Sequence, residues 1–290
     1  MKLRLSSPCK VNLVLNILGR RPDGFHELET VMLPVPLTDQ LEFGVSDPGV
    51  RLTCSHPELP VDSGNLVHRA ATRFLEASGE PRGVVIHLEK RLPLAAGLGG
   101  GSANAAVTLR ALNELFGYPL EAVRLREIAA GLGSDVPFFL QDGPALGTGR
   151  GEQVEELAPF AALHGRGIVL VHPGFGVSTP WAYQALAGFP DALGGRTGRA
   201  REAVEAFSGT DTATACRGLY NSLEAPVLEK HPLLKVFQEF FRERRALGTL
   251  MSGSGSTTFA ITEDDAAAKA TARAFTARFG AGVWVATAVL

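Results

Sequence analysis

A glycine-rich segment over residues 92–104, LPLAAGLGGGSAN, carries the strongest chemical signal in the sequence. It follows a predicted strand and leads directly into a predicted helix. Its glycines let successive backbone N–H groups converge on an anion, and the helix N-terminus adds unpaired donors and the positive end of a dipole. The pattern predicts a phosphate-binding loop, with a tight turn that binds nothing as the alternative. It fits neither G-x-x-x-x-G-K-[ST] nor a strict G-x-G-x-x-G.

Polar side chains also stand in apolar settings at a few other positions. Asp135, in the run GSDVPFF, is a candidate general base for a substrate hydroxyl, although a turn or N-cap aspartate has the same signature. Lys10 and Asn12 lie on one face of an apolar strand, where ligand contacts or protection of a sheet edge would explain them equally well. His26 follows Phe25 after a PDG turn, which suits either recognition of a planar base or a structural role.

A second glycine-rich stretch, MSGSGS at 251–256, is either an anion-binding nest or a flexible hairpin. The remaining histidines show no H-E-x-x-H spacing, so no metal-binding role is assigned to them. The three cysteines are widely scattered, which fits a reducing compartment better than a disulfide framework.

The elements that position these residues fall into two groups. From residue 158 the pattern of apolar runs restarts, and its strand, helix, strand, strand, helix, strand order is that of a ferredoxin-like layer. The sequence therefore predicts an α+β fold of two domains, 1–157 and 158–290, with the active site in the cleft between them. The N-terminal half is expected to contain strands at 10–18, 25–35, 41–45, 51–54 and 84–88 and helices at 65–78, 102–116 and 119–132.

Composition excludes several classes of protein. The chain has 290 residues, 45% hydrophobic and 20% charged, with a formal net charge of −2. That apolar content excludes a disordered chain, and the charge gives no basic field for nucleic acid or a membrane surface. Three charge-free stretches, 92–109, 167–190 and 246–262, are each interrupted by glycine or proline, so none is expected to span a membrane. The N-terminus lacks the apolar run of a signal peptide, and a cytoplasmic monomer or homodimer is expected.

Three motifs in order along the chain resemble those of the GHMP kinases. They are S-P-x-K-x-N-L at the N-terminus, P-x-x-x-G-L-G-G-G-S-x-N-A-A in the middle and M-S-G-S-G near the C-terminus. The resemblance implies a small-molecule kinase with ATP as co-substrate, an N-terminal ATP-binding α/β domain and a C-terminal ferredoxin-like domain. Four segments, R-R-P-D-G-F-H-E-L-E-T, G-N-L-V-x-R-A-A, K-R-L-P and S-D-V-P-F-F, are similar to those members of the family that act on a cytidyl diphosphate sugar alcohol in isoprenoid precursor biosynthesis.

The resemblance also implies roles for individual residues. Asp135 would be the catalytic base and Lys10 its partner at the reacting hydroxyl. Phe25 would stack on cytosine while His26 reads its edge, with Asn12 and Thr179 helping to hold the substrate. Mg²⁺ would accompany ATP, with Ser102 as a candidate ligand. The implied ATP-binding residues are Pro93, Leu94, Ala95, Ala96, Gly97, Leu98, Gly99, Gly100, Gly101, Ser102 and Ala103 around the phosphates, and Asn65, Leu66 and Lys90 near the adenosine.

Three positions depart from the family pattern: Phe25 replaces a usual Tyr, Ala95 a usual Gly and Ala103 a usual Ser. No residue between 185 and 245 is assigned a role. A homoserine or mevalonate kinase is the alternative within the family, and the PDGFH segment argues against it because those substrates have no base to stack. A non-catalytic RNA-binding module is the alternative from another class, and the net charge argues against that.

Overall fold

The structure, a computed structural model, describes residues 2–290. None of the helices in that range combines the length and apolar character that crossing a membrane requires. The strands are β1 Lys2–Arg20, β2 His26–Ser46, β3 Val50–Cys54, β4 Gly83–Glu89, β5 Ala145–Thr148, β6 Gln153–Glu156, β7 Gly167–His172, β8 Tyr220–Asn221, β9 Gly248–Met251, β10 Thr258–Thr262 and β11 Trp284–Val289. The α-helices are α1 Leu66–Ser78, α2 Gly100–Leu115, α3 Ala122–Leu132, α4 Thr179–Ala185, α5 Pro190–Leu193, α6 Arg199–Ser208, α7 Thr212–Cys216, α8 Glu224–Lys230, α9 Leu233–Glu243 and α10 Asp265–Phe279.

The chain folds into two compact units that alternate along the sequence. The first unit contains residues up to 9, 38–92 and 99–142, and the second contains 10–37, 93–98 and 143–290. Strands β1 and β2 therefore contribute residues to both units. The single domain boundary that the sequence predicts after residue 157 stays a prediction.

One sheet follows the order β3-β4-β2-β1-β8, with β5 beside β2 and β6 beside β5. The sequence predicts two strands at 25–35 and 41–45, whereas the structure has one strand, β2, which runs through Pro34 and Pro36. The reason lies in the register. Residues 30–32 pair with β5 and residues 40–46 pair with β4. Both prolines fall between these two pairings, so their missing N–H groups cost no hydrogen bond of either ladder.

The other sheet has the order β11-β7-β10-β9 and is antiparallel throughout. With α10 between β10 and β11 in the chain, this is the βαββαβ arrangement that the sequence predicts for the C-terminal half. Its core is rich in aromatic side chains from α9 and α10. Phe237 and Phe275, for example, are fully buried, and their ring centroids lie 4.8 Å apart.

The helices of the first unit begin and end for local reasons. The helix expected at 65–78 is α1, but Asn65 lies just before it as the N-cap residue, where its side chain accepts a hydrogen bond from the N–H of Val67. Gly79 ends the helix in the left-handed region. The expected start of α3 at Pro119 is wrong. The helix begins at Ala122 with Glu121 at its N-cap, because Tyr118, at φ 61°, and the Leu120 N–H, bound to Asn113, hold the preceding residues in a turn.

Candidate active site

A series of hydrogen bonds between buried polar groups begins at Lys10, in the N-terminal S-P-x-K-x-N-L motif. Lys10 is 3% exposed, and its Nζ donates to Asn12 Oδ1 at 2.6 Å. Asn12 Nδ2 donates to Thr30 Oγ1, which in turn donates to the carbonyl of Val14. Because the ammonium is buried, Lys10 does not protect an exposed sheet edge. The predicted pairing of Lys10 and Asn12 on one strand face is present, and Thr30, which the sequence analysis missed, fixes the amide.

Residues 93–98, the part of the glycine-rich segment in the second unit, pack directly against the 251–256 loop. Ser252 Oγ donates to the carbonyl of Gly97 at 2.9 Å, and the N–H of Thr257 donates to the carbonyl of Ala96. Gly97 has φ 77°, and a methyl carbon placed there would lie 2.1 Å from the carbonyl oxygen of Ser252. Only glycine fits this position. The second glycine-rich stretch is the loop of the β9–β10 hairpin, and it forms hydrogen bonds to the first one.

Ala95, one of the departures from the family pattern, adopts the left-handed conformation that glycine would take, with φ 49°. Alanine carries a cost of about 1–2 kcal/mol there. Its neighbour is Gly176, where an added methyl carbon would lie 2.8 Å from Ala95 Cβ. Ala95 therefore adopts the left-handed backbone conformation although it is not glycine. Gly176, which has no side chain, leaves room for the Ala95 methyl group.

Residues 99–103, in the first unit, form the start of α2. Gly99, at φ 68°, is the N-cap residue and has no side chain with which to satisfy the first N–H groups of the helix. Two of the residues predicted near adenosine lie beside this turn. A methyl carbon placed on Gly100 would be 3.4 Å from Lys90 Nζ, and one on Gly101 would be 3.7 Å from Leu66 Cδ1. The turn can therefore accept an anion on unpaired backbone donors.

A buried ion pair fixes the entrance to this turn, and the sequence analysis missed it. Lys90 Nζ is bound to the carboxylate of Asp39, and both side chains are almost fully buried. Asp39 also accepts hydrogen bonds from the N–H groups of Arg91 and Leu92 and from Asn104 Nδ2. One carboxylate thereby joins the last residues before the glycines to the first turns of α2. The sequence gives no local signal for Asp39, which lies 51 residues before its lysine partner.

The two remaining predicted residues of the first unit have different environments. Asn65 is buried, and its side chain is used by the α1 cap and by a hydrogen bond to the carbonyl of Pro60. Asp135 is half-buried in the turn between α3 and a 3₁₀ helix, Pro137–Leu140. Val136 occupies the N-cap position of that helix, so Asp135 is not its N-cap residue.

Each residue of the predicted base-recognition pair has a ring contact with a distant residue, Phe25 with Arg150 and His26 with Tyr183. Phe25 is 52% exposed, and the guanidinium of Arg150 lies 4.7 Å from its ring centroid. The His26 ring lies 5.1 Å from the ring of Tyr183, between centroids. Partial burial, and secondarily the charge of Arg20, lowers the pKa of His26. The imidazole is therefore neutral at pH 7 and offers one donor and one acceptor. Tyr183 and Arg150 escaped the sequence analysis because each lies more than 100 residues from its ring partner.

The 251–256 loop is anchored by residues from the segment to which no role is assigned. Asn221 Nδ2 donates to the carbonyls of Met251 and Gly253, both at 2.8 Å. Glu224 accepts from the N–H of Met251. Burial raises the pKa of Glu224 despite this bond. The predicted substrate residue Thr179 joins the same loop through a hydroxyl hydrogen bond to Ser254, 2.8 Å long.

Comparison with known proteins agrees with this architecture. The model for the GHMP kinases N terminal domain matches residues 65–143, and that for the GHMP kinases C terminal domain matches 200–281. The chain therefore belongs to the GHMP kinase family, whose co-substrate is ATP. Its curated relatives include a 4-diphosphocytidyl-2-C-methyl-D-erythritol kinase from Geobacter sp. (strain M21), which is 42% identical over 275 residues, 93% of each chain.

Solved structures extend the comparison. A 4-(cytidine 5'-diphospho)-2C-methyl-D-erythritol kinase superposes with a TM-score of 0.79 at 38% identity, over 99% of this chain and 100% of the other. A homoserine kinase from Cytophaga hutchinsonii has a TM-score of 0.78 at 24% identity, over 100% of this chain and 95% of the other. The second likeness reflects the shared fold alone.

We predict that Gly97→Ala lowers kcat/KM for ATP by about 100-fold, because the added carbon collides with Ser252 and displaces the loop by about 1 Å. Steady-state kinetics and thermal melts would measure this. Gly280→Ala is the matched control. Gly280 also has a positive φ, of 85°, but open space around it, so only stability should fall there. Wild-type kinetics in Gly97→Ala would contradict the prediction.

Proposed function

We propose that this protein transfers the γ-phosphoryl group of ATP to the 2-hydroxyl of 4-diphosphocytidyl-2-C-methyl-D-erythritol, in the non-mevalonate route to isoprenoid precursors. The observation that carries the proposal is the exposed ring of Phe25, followed directly in the chain by His26, whose imidazole lies 5.1 Å from the Tyr183 ring. A phenyl face stacks on a planar base, and a neutral imidazole can donate to and accept from the polar edge of cytosine. Homoserine and mevalonate contain nothing that such a pair would recognise.

The substrate is held by the second unit. Phe25 and His26 bind the cytosine, with the Tyr183 ring beside His26 extending the aromatic surface. Asn12 and Thr179 contact the methylerythritol diphosphate end. Asn12 is preorganised for this by its hydrogen bonds to Lys10 and Thr30, and Thr179 by its bond to Ser254. These side chains are already oriented before substrate arrives, which reduces the entropy lost on binding.

ATP binds at the glycine-rich segment. Residues 93–103 surround the phosphates, with backbone N–H groups between Leu94 and Ser102 as the donors, and the dipole of α2 adds favourable charge. Pro93 has no N–H, and the N–H of Ala103 donates to the carbonyl of Gly99. Asn65, Leu66 and Lys90 lie toward the adenosine. Lys90 is already neutralised by Asp39, so it orders this end of the site more than it attracts the triphosphate. Phosphoryl transfer depends chiefly on positioning and charge stabilisation, and fixed backbone donors supply both.

Asp135 is the general base. Its carboxylate accepts the proton of the substrate hydroxyl as that oxygen attacks the γ-phosphorus, and ADP departs with the electrons of the broken P–O bond. Lys10 is the partner cation at the reacting hydroxyl, where its buried ammonium stabilises the negative charge that develops on the oxygen. The buried position and the Asn12 hydrogen bond hold that ammonium in one orientation.

Mg²⁺ fits this site as a partner of the nucleotide. Within residues 2–290, no group of three His, Cys, Asp or Glu side chains is placed to enclose a metal ion. Mg²⁺ commonly needs only one or two protein ligands when phosphate oxygens supply the rest. The Ser102 hydroxyl, in the first turn of α2, is the candidate protein ligand. The bound ion would neutralise charge on the phosphates.

The substrate prediction is tested by an ATP-consumption assay over three alcohols: the cytidyl methylerythritol substrate, homoserine and mevalonate. We expect turnover with the first and at most background rates with the other two, because only the first presents a base to Phe25 and His26. Faster turnover of homoserine or mevalonate would refute the proposed substrate while leaving the kinase class intact.

Replacement of Asp135 by Asn should lower kcat by at least about 100-fold, since an amide cannot accept the hydroxyl proton. KM for both substrates and the melting temperature should change little, because the two side chains have the same shape. Asp142→Asn is the control, as the Asp142 side chain is 84% exposed. If Asp135→Asn retained near-normal turnover, another group would have to be the base.

KM for the cytidyl substrate should rise on acidification while KM for ATP stays constant. The His26 pKa lies below its ordinary value, so the neutral form persists further into the acid range than in a free imidazole. Protonation at lower pH removes the acceptor nitrogen, and KM then increases up to about tenfold per pH unit. His26→Gln keeps a donor and an acceptor without titrating, so its KM should not vary with pH. If KM for the cytidyl substrate rose at low pH in His26→Gln as it does in the wild type, protonation of His26 would not be the cause of the rise.

A further inference from the structure

The hairpin that joins β5 and β6 carries an arginine at its tip, in the sequence Gly149-Arg150-Gly151. Both glycines have positive φ, 70° and 100°, which a tight turn of this kind requires. The N–H of Arg150 donates to Glu152 Oε2 at 2.7 Å, and the carbonyl of Gly149 accepts from the N–H of Leu28 in β2. The base of the Arg150 side chain is therefore fixed relative to the start of β2.

From this tip the Arg150 side chain reaches the ring of Phe25. The guanidinium carbon lies 4.7 Å from the ring centroid, within the range of a cation–π contact. Arg150 Nε also lies 3.8 Å from Glu152 Oε1, and the side chain is 35% exposed. The guanidinium is thus held between a carboxylate and an aromatic face rather than extended into solvent.

The backbone of Phe25 is fixed independently. Its N–H donates to Asp23 Oδ1 at 3.1 Å, and its carbonyl accepts from the N–H of Arg21 at 2.8 Å. The ring, by contrast, is half exposed, and Phe lacks the hydroxyl with which the family's usual Tyr could form a hydrogen bond. Arg150 lies on one face of this ring, which leaves the opposite face for a ligand.

We propose that Arg150 is a positioning residue for the substrate base: it covers one face of the Phe25 ring and holds the ring so that cytosine stacks on the other. This inference rests on the proposed function, because it takes Phe25 as the stacking partner. It differs from two simpler roles for Arg150, a stabilising surface contact and a direct ion pair with the diphosphate of the substrate. The first would leave affinity unchanged, and the second would not depend on the Phe25 ring.

The test uses Arg150→Met, which keeps the aliphatic stem and removes the planar cation. Calorimetry would measure binding of cytidine diphosphate and, for comparison, ADP. We expect the Kd for cytidine diphosphate and the KM for the cytidyl substrate to rise about three- to tenfold, with kcat within about twofold and ADP binding unchanged. If Arg150→Met does not fold, Arg150→Lys takes its place, with affinity expected to fall in the same direction.

Arg82→Met is the matched control. The Arg82 guanidinium also lies over a phenylalanine ring, that of Phe116, at 5.0 Å, and this ring has no proposed role in binding. The control should lose stability at most, with both affinities unchanged. Equal affinity of wild-type and Arg150→Met protein for cytidine diphosphate would overturn the proposal.

A double-mutant cycle with Phe25→Leu shows whether Arg150 affects ligand binding through the Phe25 ring or through direct contact with the ligand. Phe25→Leu alone should weaken cytidine diphosphate binding by about tenfold or more through loss of stacking. In that background Arg150→Met should have almost no further effect, because no ring remains to be positioned. An undiminished effect in the Phe25→Leu background would overturn the proposal in favour of direct contact with the ligand.

The binding and turnover measurements together distinguish a failure of the proposed function from a failure of the inference about Arg150. Binding of cytidine diphosphate needs no catalysis, so coupling between Arg150 and Phe25 in the binding cycle supports the inference even if the cytidyl substrate is not phosphorylated. Normal turnover of that substrate with no coupling overturns the inference and leaves the proposed function standing.

Discussion

The approach of two backbones at Gly97 is the constraint on which the rest of the second unit's site depends. The carbonyl of Ser252 comes so close to the Gly97 Cα that no side chain fits between them. This contact sets the path of residues 93–98, whose last carbonyl accepts from the N–H of Lys10. The same contact fixes the 251–256 loop, which Asn221 and Glu224 hold from its other side. Lys10 and the proposed phosphate loop are therefore joined by main-chain contacts.

The sequence predicts those parts of the molecule in which local chemistry decides the structure. The helix expected at 65–78 matches α1 to within one residue, because its caps, Asn65 and Gly79, depend on a few neighbouring residues. The βαββαβ order of the C-terminal half follows from apolar periodicity and glycine turns. The role of Gly97 in binding phosphate stays a prediction, and its tight contact with Ser252 was not foreseen.

The parts that escaped prediction depend on contacts between distant residues. Asp39 has an unremarkable sequence context, and its role exists only once Lys90 and Asn104 surround it. The strands predicted at 25–35 and 41–45 are one strand, β2, whose residues pair first with β5 and then with β4, and such a register is a property of the whole sheet. Tyr183 and Arg150 lie in a helix and a hairpin whose positions against Phe25 and His26 only the folded chain defines.

The alternation of the two units along the chain has a consequence for biosynthesis. Residues 10–37 leave the ribosome about a hundred residues before the 143–290 portion with which they pack. During that interval β1 and the first half of β2 lack partners such as Gly195 and Ser222, which later bind the backbone of Ile17 and Leu15. The second unit cannot fold during translation ahead of the first, because its sheet waits for the C-terminal half of the chain. The apolar side chains of these strands therefore stay uncovered by their C-terminal partners until residues 143–290 have been synthesised.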